Sequence, residues 1–133
     1  MMMVMKAMLT ILLAGQSLTF ELAISEEDKQ TGMMYREEWG KIDGMLFVNQ
    51  KPQKVGYWMK DTPLEMTMLF MDKDFNILET YYPTPYSEDI IASASDKIRF
   101  VLEIKPELED LIKDNKTDFQ AQMKKKLKAF NIK

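Results

Sequence analysis

The sequence Met66-Thr67-Met68-Leu69-Phe70-Met71 predicts the centre of a β-sheet. Its side chains are apolar on both faces of an extended chain, which is typical of a strand in the middle of a sheet. A polar turn follows at residues 72–76, and the alternating segment Ile77–Tyr82 comes next. The stretch therefore predicts a central strand with a hairpin partner on its C-terminal side.

Further extended segments lie on both sides of this strand. Gly44–Val48 has the pattern of a buried strand, and Val55–Lys60 is predicted as a strand after the turn at residues 51–54. Residues 87–97 are predicted to form a flexible polar loop. Apolar and polar side chains then alternate along Ile98–Ile104, which predicts a half-buried strand with Arg99 and Glu103 on its outer face.

The N-terminal segment has two interpretations. Lys6 followed by the apolar residues 7–15 resembles a short signal peptide, although Gln16 is a poor residue before a cleavage site. The other interpretation is a hairpin of Met8–Leu13 and Leu18–Ile24, because the second segment alternates cleanly between apolar and other residues. We favour the hairpin.

Two helical regions complete the chain. Ser25 is a candidate N-cap of a short helix that ends near Thr31-Gly32. From Pro106 the apolar period becomes helical, with a break near Asp114-Asn115 and four lysines close to the end. The lysines would suit a nucleic-acid surface, but complementing the helix dipole in solvent is the favoured interpretation. We predict an α+β, mainly β domain over residues 1–133, with a small barrel-like or strongly curved antiparallel sheet, one short helix and a helical C-terminus over 106–133.

Composition restricts the chemistry. The chain of 133 residues contains no cysteine and no histidine, which excludes thiol chemistry, zinc fingers and any imidazole base. The formal net charge of −3 does not attract nucleic acid, and no apolar run is long enough to span a bilayer. The chain has 13 methionines, and those inside predicted strands are interpreted as core filler, with a Cu(I) site as the alternative. We predict no cofactor, no metal, and a monomer or weak homodimer, with a cytoplasmic location slightly favoured over export.

The segment Tyr57-Trp58-Met59-Lys60-Asp61-Thr62-Pro63 is the strongest candidate for a functional site. A large amphipathic ring beside opposite charges is common in the wall of a binding cleft. In a strand, Trp58 and Lys60 would share one face. The alternative is a structural role, with Trp58 in the core and Lys60 and Asp61 as a surface pair.

Six motifs in order resemble a known family. They are Phe20-Glu21-Leu22-Ala23, Gly32-Met33-Met34-Tyr35-Arg36, Gly44-Met45-Leu46-Phe47, the Tyr57–Pro63 segment, Phe70-Met71-Asp72 and Val101-Leu102-Glu103-Ile104. Together they are similar to the domain of unknown function 192 family, also called uncharacterised protein family 0127, over about residues 18–104. The resemblance implies a compact, mainly β fold with a short helix and a cleft near Trp58, and it supplies no activity. This chain departs from the family at Asp61, where asparagine is usual, and at Thr67, where aspartate is usual.

Three functions follow from these residues. The favoured one is a binding module whose cleft takes a carboxylate-bearing small molecule or an extended peptide. A hydrolase-like enzyme would instead use Lys60 with a hydroxyl group, or a carboxylate pair of Asp61 with Glu65 or Glu103. A structural or accessory protein would dock a partner through its C-terminal helix. The candidate ligand-binding residues are Arg36, Trp58, Lys60, Asp61, Thr62, Tyr82 and Glu103.

Overall fold

The computed structural model describes residues 6–132, which form eight strands and three helices. The strands are β1 (Met8–Leu13), β2 (Gln16–Ala23), β3 (Gly44–Gln53), β4 (Gly56–Tyr57), β5 (Thr67–Met71), β6 (Ile77–Tyr81), β7 (Ile91–Ala92) and β8 (Ile98–Ile104). The helices are α1 (Glu26–Thr31), α2 (Glu109–Asp114) and α3 (Lys116–Lys128), and a 3₁₀ turn at Pro106–Leu108 precedes α2. The methionines before Lys6 lie outside the described residues.

Six strands form one sheet in the order β1-β2-β3-β8-β5-β6, and β4 pairs with β7 beside it. The sheet is mixed, because β2 and β3 run parallel while the other neighbours are antiparallel. The prediction of an antiparallel sheet was therefore wrong at this pair. Residues 24–43, which contain α1, carry the chain back to the start of β3, and a parallel pair requires a crossover of this length.

The sheet is open, so the prediction of a barrel-like closure was also wrong. Within residues 6–132, β1 and β6 stay at opposite edges and share no ladder. The β1 edge is covered by α3. The Gln122 side chain accepts a hydrogen bond from the Leu12 amide at 2.8 Å and donates one to the Leu12 carbonyl at 2.6 Å. This covering satisfies backbone groups that a neighbouring strand would otherwise pair.

The N-terminal hairpin is confirmed for the described residues. β1 and β2 pair from Met8–Glu21 to Leu13–Gln16. The two turn residues, Ala14 and Gly15, have φ of 46° and 81°, which is the conformation that tight hairpins favour. The short helix is confirmed as well, since the Ser25 hydroxyl accepts from the Asp28 amide at 3.1 Å.

Both faces of the sheet are covered, which produces two cores. Phe119, Met123 and Leu127 of α3 pack on one face. On the other face, residues such as Met33 and Met59 from the connecting segments cover Met45, Met68 and neighbouring side chains. The central strand β8 is consequently buried on both sides, and the prediction that it is half-buried was wrong.

The predicted strand Val55–Lys60 is shorter than expected. Only Gly56–Tyr57 pairs, with β7 from the segment that was predicted as a loop. The chain then turns, because the Thr62 amide donates to the Met59 carbonyl at 3.1 Å and Asp61 has φ of 55°. Trp58 and Lys60 therefore do not share a strand face.

One buried hydroxyl gives a stability prediction. Thr67 is 1% exposed, and its Oγ1 has no hydrogen-bond partner within residues 6–132. Valine has nearly the same shape without the hydroxyl, so Thr67→Val should raise the free energy of unfolding by about 1 kcal/mol. The matched control is Thr62→Val, which should destabilise because the Thr62 hydroxyl donates to the Lys60 carbonyl at 3.0 Å. Urea denaturation of both variants tests this, and a less stable Thr67→Val would contradict it.

Candidate functional site

A cavity of about 490 Å³ opens on the face of the sheet next to α1. One wall is formed by α1 and the following residues Gly32–Met34. The opposite wall is the end of β3 with residues 53–59, and Thr62 and Glu103 complete the lining. The volume lies in the range of small-molecule sites, which is roughly 300–1,000 Å³.

Glu103 is the polar group that distinguishes this cavity. It lies in β8 between Met45 of β3 and Met68 of β5 in the ladder, and it is 5% exposed. Within residues 6–132 no side chain forms a hydrogen bond or an ion pair with its carboxyl group. Burial raises the pKa of Glu103 from 4.5 to about 8, so the carboxyl is mostly protonated at pH 7.

Tyr57 stands beside this carboxyl. Its ring packs edge-on against Phe47 with the centroids 5.3 Å apart, and at a tilt against Phe70 at 5.7 Å. Burial, and secondly the charges of Glu103 and Glu26, raise the pKa of Tyr57 far above its usual value. The phenol therefore stays protonated and remains a potential hydrogen-bond donor in the cavity wall.

Trp58 lines the cavity while 40% of the residue remains exposed. The ammonium of Lys60 lies 5.3 Å from the centroid of its ring, which is a cation–π distance. Lys60 itself is not among the residues that line the cavity. The indole thus contacts the cavity, solvent and a cation at once.

The turn after Trp58 is held by two other loops. The Met59 amide donates to the Ser87 carbonyl at 2.9 Å, and the Tyr35 amide donates to the Asp61 carbonyl at 2.7 Å. The positive φ of Asp61 is a conformation that aspartate and asparagine tolerate better than most residues, which agrees with asparagine being usual at this position in the resembling family. These bonds fix the position of Trp58 relative to the cavity.

Lys29, Lys54 and Asn49 also line the cavity, and the sequence did not mark them as site residues. The Lys29 side chain is 13% exposed and its ammonium is 2.9 Å from the carboxylate of Glu26. The Asn49 amide group donates to the Ile98 carbonyl at 3.4 Å. No local pattern would have identified these residues, because segments distant in the chain bring them to the cavity.

The predicted site residues divide into two groups. Trp58, Thr62 and Glu103 line the cavity, and Lys60 joins them through the Trp58 ring. The remaining three are placed elsewhere. The Arg36 guanidinium donates two hydrogen bonds to Glu21, at 3.1 and 2.8 Å.

Asp61 and Tyr82 are engaged in separate surface contacts. The Asp61 carboxylate accepts from the Tyr35 hydroxyl at 3.2 Å, and the Tyr82 hydroxyl donates to Glu109 at 2.7 Å. Tyr82 borders a smaller depression of about 240 Å³ on the side of residues 81–91. The sequence therefore grouped residues that the fold assigns to different contacts.

The described residues include neither a candidate metal-binding group nor a membrane-spanning helix. Within residues 6–132, histidine, cysteine, aspartate and glutamate side chains form no group of three or more that could hold a metal ion. In the same part of the chain, no helix combines the length and apolar character needed to cross a membrane.

The sequence and the fold together define the class of protein. The profile of the domain of unknown function 192 family, described as uncharacterised ACR, matches residues 9–113, and the chain belongs to this family. The resemblance noted in the sequence is confirmed, and the match extends further in both directions than the six motifs.

Two crystal structures resemble this fold. One is a candidate transcription regulator from Sinorhizobium meliloti 1021, with 31% identity, a TM-score of 0.68, and coverage of 84% of this chain and 88% of that one. The other is a protein of unknown function from Novosphingobium aromaticivorans DSM 12444, with 25% identity, a TM-score of 0.64, and coverage of 77% and 75%. No curated protein matches the chain.

Proposed function

We propose that this protein is a binding module for a small molecule or short peptide, which occupies the cavity between α1 and the Trp58 turn. The observation that carries the proposal is Glu103, a buried carboxyl group that lines a cavity of about 490 Å³ and to which no side chain of residues 6–132 is hydrogen-bonded. A buried polar group without a partner reduces stability. Its presence is best explained by a ligand that supplies the missing partner.

The walls of the cavity support the same proposal. Phe47, Tyr57 and Trp58 supply aromatic surface, and polar or charged side chains, among them Lys29, Asn49 and Glu103, make up about half of the lining. Small-molecule sites typically combine these two components. Hydrogen bonds already hold the turn after Trp58 in place. Ligand binding would therefore cost this turn little conformational entropy.

Tryptophan fluorescence tests the proposal. The chain has two tryptophans, so Trp39→Phe leaves Trp58 as the single reporter. Pools of metabolites and short peptides should include at least one that shifts or quenches the Trp58 emission, because the indole lines the cavity.

The matched control is Trp58→Phe with Trp39 retained, in which the same pool should leave the emission unchanged. If no pool alters the emission of Trp58, or if the response persists in the control, the cavity is not the binding site.

A further inference from the structure

Resting on the proposed binding function, we propose that the ligand is a small zwitterion whose primary ammonium group contacts the Glu103 carboxylate and whose anionic end faces Lys54 at the cavity mouth. The buried Glu103 carboxyl, to which no side chain of residues 6–132 is hydrogen-bonded, selects the ammonium. Lys54, which lines the cavity and is exposed, attracts the anionic end of the ligand.

Glu103 determines the cationic end of the ligand. Its carboxyl is 5% exposed, and its neighbours in the ladder are the thioether side chains Met45 and Met68. An ammonium supplies the opposite charge and three hydrogen-bond donors. The energy lost when the protein buries this carboxyl alone is therefore recovered when such a ligand binds.

The surrounding wall also suits a cation. The faces of aromatic rings attract ammonium groups, and Trp58 and Tyr57 both line the cavity. Trp58 already receives the Lys60 ammonium at 5.3 Å, so this ring attracts cations within the protein itself. Because the Asn49 amide group is used by the Ile98 carbonyl, its side-chain oxygen remains as an acceptor for the ligand.

The charges around Glu103 set the orientation of the ligand. From α1, Lys29 lines the cavity but is neutralised by Glu26 at 2.9 Å. From the segment before β4, Lys54 lines the cavity and is exposed. β3 and β5 present methionines to Glu103, and β4 presents the protonated Tyr57. An anionic group is consequently favoured at Lys54 and disfavoured beside Glu103.

Binding of an ammonium must be linked to a proton. The raised pKa of Glu103, about 8, means that its carboxyl is mostly protonated at pH 7 before a ligand binds. The ligand ammonium displaces this proton to solvent, so its affinity should rise roughly fiftyfold between pH 6 and pH 8. A carboxylate that accepted a hydrogen bond from neutral Glu103 would show the opposite trend.

Three probes of matched chain length test the proposal: 5-aminopentanoate, pentylamine and pentanoate. Isothermal titration calorimetry at pH 6 and pH 8, in two buffers of different ionisation enthalpy, measures both affinity and proton release. We expect 5-aminopentanoate to bind best, pentylamine to bind more weakly, and both to release up to one proton at pH 7. Glu103→Gln should abolish the pH dependence and proton release, while Glu65→Gln, at an exposed position outside the cavity, should retain both.

The outcomes separate this inference from the proposed function. Glutamine has the shape of the protonated carboxyl, so circular dichroism should show a folded Glu103→Gln protein. If pentanoate binds as well as 5-aminopentanoate, or if Glu103→Gln leaves the affinities for the amines unchanged, the ammonium assignment is overturned while binding in the cavity stands. A probe concentration of about 10 mM makes even millimolar affinity detectable. If none of the probes binds there and the Trp58 emission responds to no pool, both the ammonium assignment and the proposed binding function are overturned.

Discussion

Replacement of Arg36 by alanine should lower the free energy of unfolding by about 3 kcal/mol. Arg36 forms two hydrogen bonds to Glu21, whose side chain is 7% exposed, and removal of the guanidinium would leave that carboxylate without this partner. The loss falls at the lower end for buried pairs because the Arg36 side chain is still 32% exposed. Chemical denaturation at neutral pH measures it.

Two further variants show whether the loss comes from the uncompensated charge. Lys6→Ala removes an ion pair of similar length, 2.6 Å to Asp28, in which both side chains are more than a third exposed, and should cost less than about 1 kcal/mol. The double variant Arg36→Ala with Glu21→Gln should recover part of the loss, since glutamine carries no charge to bury. An equal loss for Lys6→Ala and Arg36→Ala would contradict this account of Arg36.

Replacement of Glu103 by glutamine should change the pH dependence of stability more than any other single substitution proposed for this protein. The pKa of Glu103 is raised from 4.5 to about 8 by burial, so the folded protein keeps a proton that the unfolded chain releases. The stabilisation from this proton is fully present below about pH 4.5 and is lost as the pH rises through 8. Glutamine cannot titrate and therefore lacks this loss.

The expected size follows from the shift. Between pH 5 and pH 8 the wild-type protein should lose about 3 kcal/mol of unfolding free energy relative to Glu103→Gln, since one pKa unit corresponds to about 1.4 kcal/mol. The other titrating groups are common to both proteins and largely cancel in the difference. Urea denaturation of the pair at both pH values gives this number. Parallel pH profiles for the two proteins would mean that Glu103 ionises normally.

Local patterns in the sequence predicted most of the strands. Apolar and other side chains alternate along Leu18–Ile24, and the two strands of a hairpin are close in the chain. The bounds of β1 and β2 were therefore predicted nearly correctly. The central position of Met66–Met71 was predicted for the same reason, because its two apolar faces are visible in the sequence. The break between α2 and α3 at Asn115 also follows from local residues.

The errors arose where distant segments decide the structure. The parallel pairing of β2 with β3 depends on how residues 24–43 cross the sheet, which no local pattern records. The strand predicted at Val55–Lys60 ends in a turn, because the Met59 amide donates a hydrogen bond to the Ser87 carbonyl. The prediction was a barrel-like or strongly curved sheet, whereas α3 covers the β1 edge and the sheet stays open.

The lining of the cavity was predicted in part. Trp58, Thr62 and Glu103 were named from the sequence and do line one cavity. Alternation along β8, however, placed Glu103 on an outer face, and only the segments that cover that face bury it. Arg36 is a charged residue in a motif, and its partner Glu21 is found only from the fold.

Titration of the Glu103 side chain tests whether its carboxyl is buried without a side-chain partner from residues 6–132. Carbon-13 NMR of the labelled Glu103 carboxyl, assigned by comparison with Glu103→Gln, would follow its ionisation between pH 4 and pH 9. The account predicts a midpoint near pH 8 in the ligand-free protein. A midpoint near 4.5, the usual value for glutamate, would show that water or a protein cation reaches the carboxyl and would contradict the proposed site.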